Sequence, residues 1–286
     1  MIYFCADDYG ITLPVCKRIN ECVAEGALNR ISIVPNTELA DIKKLVPKGS
    51  ESVGIHVNLV EGKAVSPPQE IPLLADSCGY FKNSFAGLFL LSISKKRREF
   101  KKQVYCEIRN QILRWQDIMG EDFPIEIDSH QHTHMIPAIF GTLMNVIKDE
   151  HINVRYMRIP SEPISPYVKS PSLYFTYKPI NIVKQWILKI FGAVNKKKFR
   201  KSGIKSALFM GVLFSGNMDE KRVSAVLKKY IELSLKKNCD IEVLFHPGYI
   251  EPGEEVPDKD KKGFVEFYLS EGRKTEFNTL KNIKIK

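Results

Sequence analysis

The stretch Ile127 to Pro137, IDSHQHTHMIP, carries His130, His132 and His134 at alternate positions, directly after Asp128. The whole chain has six histidines, so half of them fall within five residues. Imidazole is the commonest metal ligand and carries protons near neutral pH. In an extended segment, residues i, i+2 and i+4 share one face. The spacing therefore predicts three imidazoles leaving a strand end toward one place. A lone His-x-His also suits a solvated turn, so partners elsewhere in the chain decide between the two.

Such partners occur at the ends of other apolar runs. The first run ends in Asp7-Asp8, another carries His56, and another ends in Asp128 and His130. Further along come Arg158 in MRIP, Ser215-Gly216-Asn217, and His246 in LFHPGY. Parallel α/β folds collect their chemistry at the carboxyl ends of strands. One carboxylate with two imidazoles fills three positions around an ion and leaves others open, as in a catalytic rather than a structural site. Such an ion makes water a usable nucleophile. A second carboxylate to take a proton and a histidine to return one would complete the equipment for hydrolysing an amide or ester. Residue chemistry alone leaves open which of His130, His132 and His134 binds the ion.

The elements that would position these groups alternate. Strands are predicted at MIYFCAD, ISIVPN, SVGIHVNL, PIEIDSH, NVRYMRIP, SALFMGVLFSG and DIEVLFHPGY. Helical stretches fall between most of them, among them Lys96 to about Met119, PAIFGTLMNVIKDE and MDEKRVSAVLKKYIELSLKK. This order argues for βαβ units and a parallel sheet. The predicted fold class is α/β, a distorted, TIM-like (β/α) barrel of about seven parallel strands. It would form a single catalytic domain over 1–286, with loop insertions at about 61–94 and 161–179. No Gly-x-Gly-x-x-Gly follows the first strand, which weakens the open-sheet alternative.

Composition excludes several classes. Apolar residues make up 44% and charged residues 27%, which suits a globular enzyme with a core. No run of about 18 apolar residues predicts a membrane span. The N-terminus lacks a basic, then apolar leader, and six scattered cysteines form no Cys-x-x-Cys pair, so a cytoplasmic protein with reduced thiols is expected. The formal charge is +10, much of it in KKRREFKK (Lys95–Lys102) and KKKFRK (Lys196–Lys201). These read as solvated faces, so neither nucleic acid nor membrane is an expected partner.

The segments ADDYG, GIHVNL, DSHQHTHMIP, MRIP and FHPGY, in this order, resemble the YdjC/ChbG-like carbohydrate deacetylase family, within the NodB-type deacetylases. The likeness spans Tyr3 to about Tyr249. It implies removal of acetyl groups from N-acetylated sugars or chitooligosaccharides, with one divalent metal ion, Mg2+ or Zn2+. By the same resemblance Asp8, His56 and His130 are the metal ligands, Asp7 the general base, His246 the general acid and Arg158 the residue orienting the base. His132, His134 and Asp128 would be supporting or substrate-facing. The family's ADDFG variant has Phe where this chain has Tyr9. Tyr80, Phe81, Tyr167, Tyr174, Phe175 and Tyr177 are expected to rim the site. The expected partner is an N-acetylated saccharide, with a homodimer as a secondary expectation. Two other readings compete: a hydrolase of another class, such as a phosphoesterase, and a metal-stabilised, non-catalytic binding protein with a basic face.

Overall fold

A computed structural model describes residues 1–255 and 262–283. Its centre is a sheet of seven parallel strands: β1 (Ile2–Tyr9), β2 (Arg30–Ile33), β3 (Ser52–Val57), β4 (Ile125–Ser129), β5 (Val154–Met157), β6 (Leu208–Met210) and β7 (Ile241–Phe245). The order is β5-β4-β3-β2-β1-β7-β6. The two outer strands meet through one bridge, Tyr156 with Lys205, and the Met157 N–H donates to the Lys205 carbonyl at 3.0 Å. The sheet thus curls into a distorted barrel with a thin seam.

Helices surround it: α1 (Leu13–Glu25), α2 (Ile42–Leu45), α3 (Phe85–Ile93), α4 (Arg97–Met119), α5 (Pro137–Asp149), α6 (Ser165–Val168), α7 (Pro179–Ser202), α8 (Glu220–Lys237), α9 (Lys262–Tyr268) and α10 (Glu271–Asn282). Local chemistry fixes their starts. Thr12 caps α1 by accepting from the Val15 N–H, and Asp219 caps α8 by accepting from the Arg222 N–H. Along α4, Phe100, Val104, Ile108, Ile112, Trp115 and Met119 recur at helical spacing and are buried.

Strand residues alternate in a way that divides the core. Phe4 and Ala6, Ile31 and Ile33, Val53, Ile55 and Val57, Ile125 and Ile127, and Val243 and Phe245 belong to the apolar core. Most of their neighbours in the strands, Arg30, Ser32, Ser52, His56, Glu126, Asp128 and Glu242, are polar and buried, and several of them bond one another across the barrel. Ser52 Oγ donates to Glu126 Oε2 at 2.5 Å, and Arg30 Nη2 lies 3.2 Å from the same oxygen. The Tyr156 hydroxyl donates to Glu242. The interior is therefore charged where such barrels usually hold branched aliphatics.

Several sequence expectations need correction. Strand six stops at Met210, because Gly211 takes φ +152 and a Cβ there would lie 2.7 Å from Leu244 Cβ. Buried Glu162 then accepts the N–H groups of Gly211, Val212 and Leu213 at 2.5 to 3.0 Å, which holds a turn instead of a strand. The stretch at 61–94 contains α3, and that at 161–179 contains α6. Between β2 and β3 the connecting helix is only the four residues of α2.

Candidate active site

The site begins with an irregularity in β1. Pairing with β2 shifts register between Ala6 and Tyr9, and Asp8 adopts φ +69. In a regular strand two successive side chains point to opposite faces. The bulge brings Asp7 and Asp8 to the same cavity, which both line. The next residue, Tyr9, is buried and its hydroxyl donates to the Leu45 carbonyl at the end of α2, a bond that Phe would not make.

Asp8, His56 and His130 converge, with one ligand atom from each lying within 4.8 Å of the others. Asp8 Oδ1 is 2.9 Å from His130 Nδ1 and 3.5 Å from His56 Nε2. Both imidazoles are held from behind. His56 Nδ1 meets Asp128 Oδ1 at 2.6 Å, and Ser32 Oγ donates to that oxygen at 2.5 Å. His130 Nε2 lies 3.0 Å from Glu61 Oε2. The Asn58 side chain positions Glu61 by accepting the N–H groups of Val60 and Glu61 at 3.0 Å. Carboxylates behind metal-binding imidazoles fix their tautomer and orientation. His56 Nε2 is buried and has no hydrogen-bond partner among the described residues. One carboxylate oxygen and two aimed nitrogens form a donor set that fits a divalent cation.

The same groups perturb one another. Burial alone would push the Asp8 carboxyl up, but Arg273, then His130 and His56, hold it well below the usual carboxylate range. Burial alone would lower His56, but Asp7 and Asp128 raise it to about 10. His130 is raised to about 9 by Asp8 and Glu61, again against its burial.

Asp7 has a different environment. Arg158 forks onto it, Nη1 to Oδ2 at 2.7 Å and Nη2 to Oδ1 at 2.8 Å. The same guanidinium lies 2.9 Å from Asp128 Oδ2, and its Nε donates to Glu242 Oε1 at 2.8 Å. Two further acidic groups, Asp7–His56–Asp128 and Cys5–Asp128–Glu242, are also compact enough for an ion. Arg158 contacts carboxylates in both, so a cation already occupies that ground. This argues against a two-metal centre.

The three alternating histidines do not share a face. After β4 the chain coils into a 3-10 turn (His130–Met135), with Gln131 at φ 51 and His132 at φ 57. His130 and His132 line the cavity, and His132 stands edge-on to Phe209. His134 turns back, accepting from Ser129 Oγ at 2.5 Å and donating from Nε2 to the Arg158 carbonyl at 2.9 Å. It ties the histidine turn to the segment after β5 and takes no place in the cavity. Burial lowers its pKa to about 4.

His246 follows β7 and borders the same cavity, of about 720 Å³. Glu276 on α10 accepts its N–H at 2.5 Å and lies 3.6 Å from its Nδ1. Arg273, one helical turn earlier, donates to Asp8 Oδ2 at 2.5 Å and to the Gly248 carbonyl at 2.8 Å. Sequence reasoning missed Arg273, Glu276 and Glu61. The expected aromatic rim is also different: Phe85, Phe264 and Phe267 line the cavity. Phe81 and Tyr167 are buried in the core, while Phe175 is fully exposed.

A family model described as YdjC-like protein matches residues 1–286. Similar proteins include a carbohydrate deacetylase of Danio rerio, 24% identical, covering 96% of this chain and 90% of its own. A carbohydrate deacetylase of Thermoanaerobacter pseudethanolicus is 27% identical, over 67% of this chain and 75% of its own. A chitooligosaccharide deacetylase of Escherichia fergusonii is 26% identical, over 54% and 58%. A crystal structure from Enterococcus faecalis V583, described as a cellobiose-phosphate cleavage protein, shares the fold with a TM-score of 0.64 at 16% identity, covering 98% of this chain and 90% of its own.

Proposed function

This chain belongs to the YdjC-like family, and we propose that it is a metal-dependent deacetylase of N-acetylated sugars such as chitooligosaccharides. One observation carries the reading: Asp8, His56 and His130 converge in a cavity while Asp128 and Glu61 hold the far sides of the two imidazoles. The sugar class is supported by relatives named carbohydrate deacetylase and chitooligosaccharide deacetylase. A divalent ion in that set supplies a Lewis acid and a water of lowered pKa. Its two nitrogens favour zinc or another transition metal, while magnesium prefers oxygen.

The chain's own residues then divide the proton transfers. Asp7, gripped at both oxygens by Arg158, takes a proton from the attacking water. The water oxygen bonds the acetyl carbon, and the carbon–nitrogen bond breaks. His246, steadied by Glu276, gives a proton to the departing amine. Acetate and a free amino sugar leave. Phe85, Phe264 and Phe267 give the cavity apolar faces on which a sugar ring can rest, and its volume falls in the range of small-molecule sites.

The test is acetate release from N,N'-diacetylchitobiose, before and after chelation, with zinc or magnesium restored. Release that stops with chelator and returns with metal is expected. No release from any acetylated saccharide with metal present would overturn the sugar reading. Release indifferent to chelation would overturn the metal's role.

A further inference from the structure

Helix α7 is turned inside out. Its inward face carries Asn181, Gln185 and Asn195, all buried, together with Leu188 and Phe191. The Asn181 amide donates to the Ser215 carbonyl at 3.0 Å, that of Gln185 to the Glu162 carbonyl at 2.9 Å, and that of Asn195 to the Met135 carbonyl at 2.8 Å. Its outward face carries Val183, Trp186, Ile190 and Val194, spaced three or four residues apart and 53 to 59% exposed. A surface helix usually presents the opposite arrangement. An exposed apolar stripe of this kind marks an interaction surface.

Charge indicates what covers it. From Pro163 to Met218 the chain has ten lysines and arginines and no aspartate or glutamate. The remaining residues carry 33 basic and 33 acidic side chains, so the whole formal charge of +10 resides in this segment. On α7 these are Lys184, Lys189, Lys196, Lys197, Lys198, Arg200 and Lys201, all exposed. None of the ten is ion-paired among the described residues; Lys189 Nζ instead lies 5.4 Å from the Trp186 ring centre.

We propose that the outward face of α7 docks on an anionic lipid bilayer. Lysines and arginines flanking a Trp-bearing apolar stripe are the pattern of a helix lying in a membrane interface. The two alternatives each satisfy half of the observation. A second copy of the chain would cover the stripe but bring two uncompensated positive segments together. A nucleic acid would neutralise the lysines and leave Trp186, Ile190 and Val194 in water. The proposal revises the expectation that the cluster at Lys196–Lys201 is only a solvated face. It stands independently of the reaction assigned to the cavity.

Vesicle flotation tests it, comparing phosphatidylcholine alone with phosphatidylcholine plus phosphatidylglycerol. The full chain should bind the anionic vesicles at least about tenfold more tightly, and added salt should weaken the binding. Fluorescence gives a second readout, because Trp115 is fully buried and Trp186 is exposed. Anionic vesicles should shift Trp186 emission to the blue, and Trp186→Phe should remove the shift. Trp186→Ser with Ile190→Ser, and separately Lys197→Glu with Arg200→Glu, should each weaken binding on the order of tenfold or more. Melting curves and acetate release from soluble diacetylchitobiose should stay near the parent's for both. Equal binding to neutral and anionic vesicles, or no binding to either, would overturn the proposal. So would a dimer that dissociates in the Trp186→Ser, Ile190→Ser variant without any vesicle binding by the parent.

Discussion

Asp7 and Asp8 are neighbours in sequence but belong to two differently built regions. The floor of the barrel gathers Asp7, Asp128 and Glu242 around Arg158, a permanent cation with a fixed fork. The mouth gathers Asp8 and Glu61 around His56 and His130, whose charge depends on protonation. Arg273 reaches only one oxygen of Asp8 and leaves the other to the imidazoles. Where the chain supplies its own cation, the carboxylates are fixed in place. Where it supplies titratable nitrogens, the negative charge remains available to an ion from solution. Asp128 joins the regions, with one oxygen on Arg158 and the other on His56.

Substitutions can break this contrast from either side. The largest loss is expected at the floor. Arg158→Met strands three buried carboxylates, and breaking a buried pair of this kind costs about 3–5 kcal/mol. Urea unfolding should show that loss, or the variant should fail to fold; parent-like stability would mean that the floor does not depend on Arg158. At the mouth, Asp8→Asn should abolish stoichiometric metal in elemental analysis and cut acetate release on the order of a thousandfold. Asparagine tolerates the left-handed backbone at this position, so the fold should persist. A full equivalent of metal in that variant would refute the ligand set.

Asp7→Asn sharpens the boundary between the regions. Bound metal should be retained while turnover falls on the order of a hundredfold or more. Loss of metal instead would move Asp7 into the mouth. Glu61→Gln should have the smallest effect, weakening metal affinity about 10–100-fold, with turnover recovered at saturating metal. Unchanged affinity would reduce Glu61 to a packing neighbour of His130.

Much of this was legible in the sequence because it follows from local rules. Alternating strands and helices gave the parallel sheet, and strand ends gave Asp7, Asp8, His56, His130, Arg158 and His246. The histidine repeat misled, because period-two reasoning assumes extended backbone and Gln131 and His132 are left-handed. Arg273 and Glu276 were hidden because EGRKTEFNTLKN reads as an ordinary charged helix; only packing of α10 against the barrel mouth gives them roles. Glu61 lay in an irregular stretch where no periodicity applies. The charged interior did leave a trace. RISI, SVGIHV and IEIDS alternate polar with apolar, although helices cover the outer face, so the polar members had to point into the barrel.

The seam gives the molecule a preferred place to breathe. Neighbouring strands elsewhere share three to five registered pairs, whereas β5 and the approach to β6 share one bridge at Tyr156 and Lys205. Opening there ruptures few backbone hydrogen bonds, so it belongs to the low-energy end of local unfolding, while the amides of β1 and β7 exchange only through much larger excursions. All of α7 lies in the chain between the two sides of that seam. A force borne by the helix would be transmitted to the joint that opens most easily, just beyond which Arg158 grips the three carboxylates of the floor.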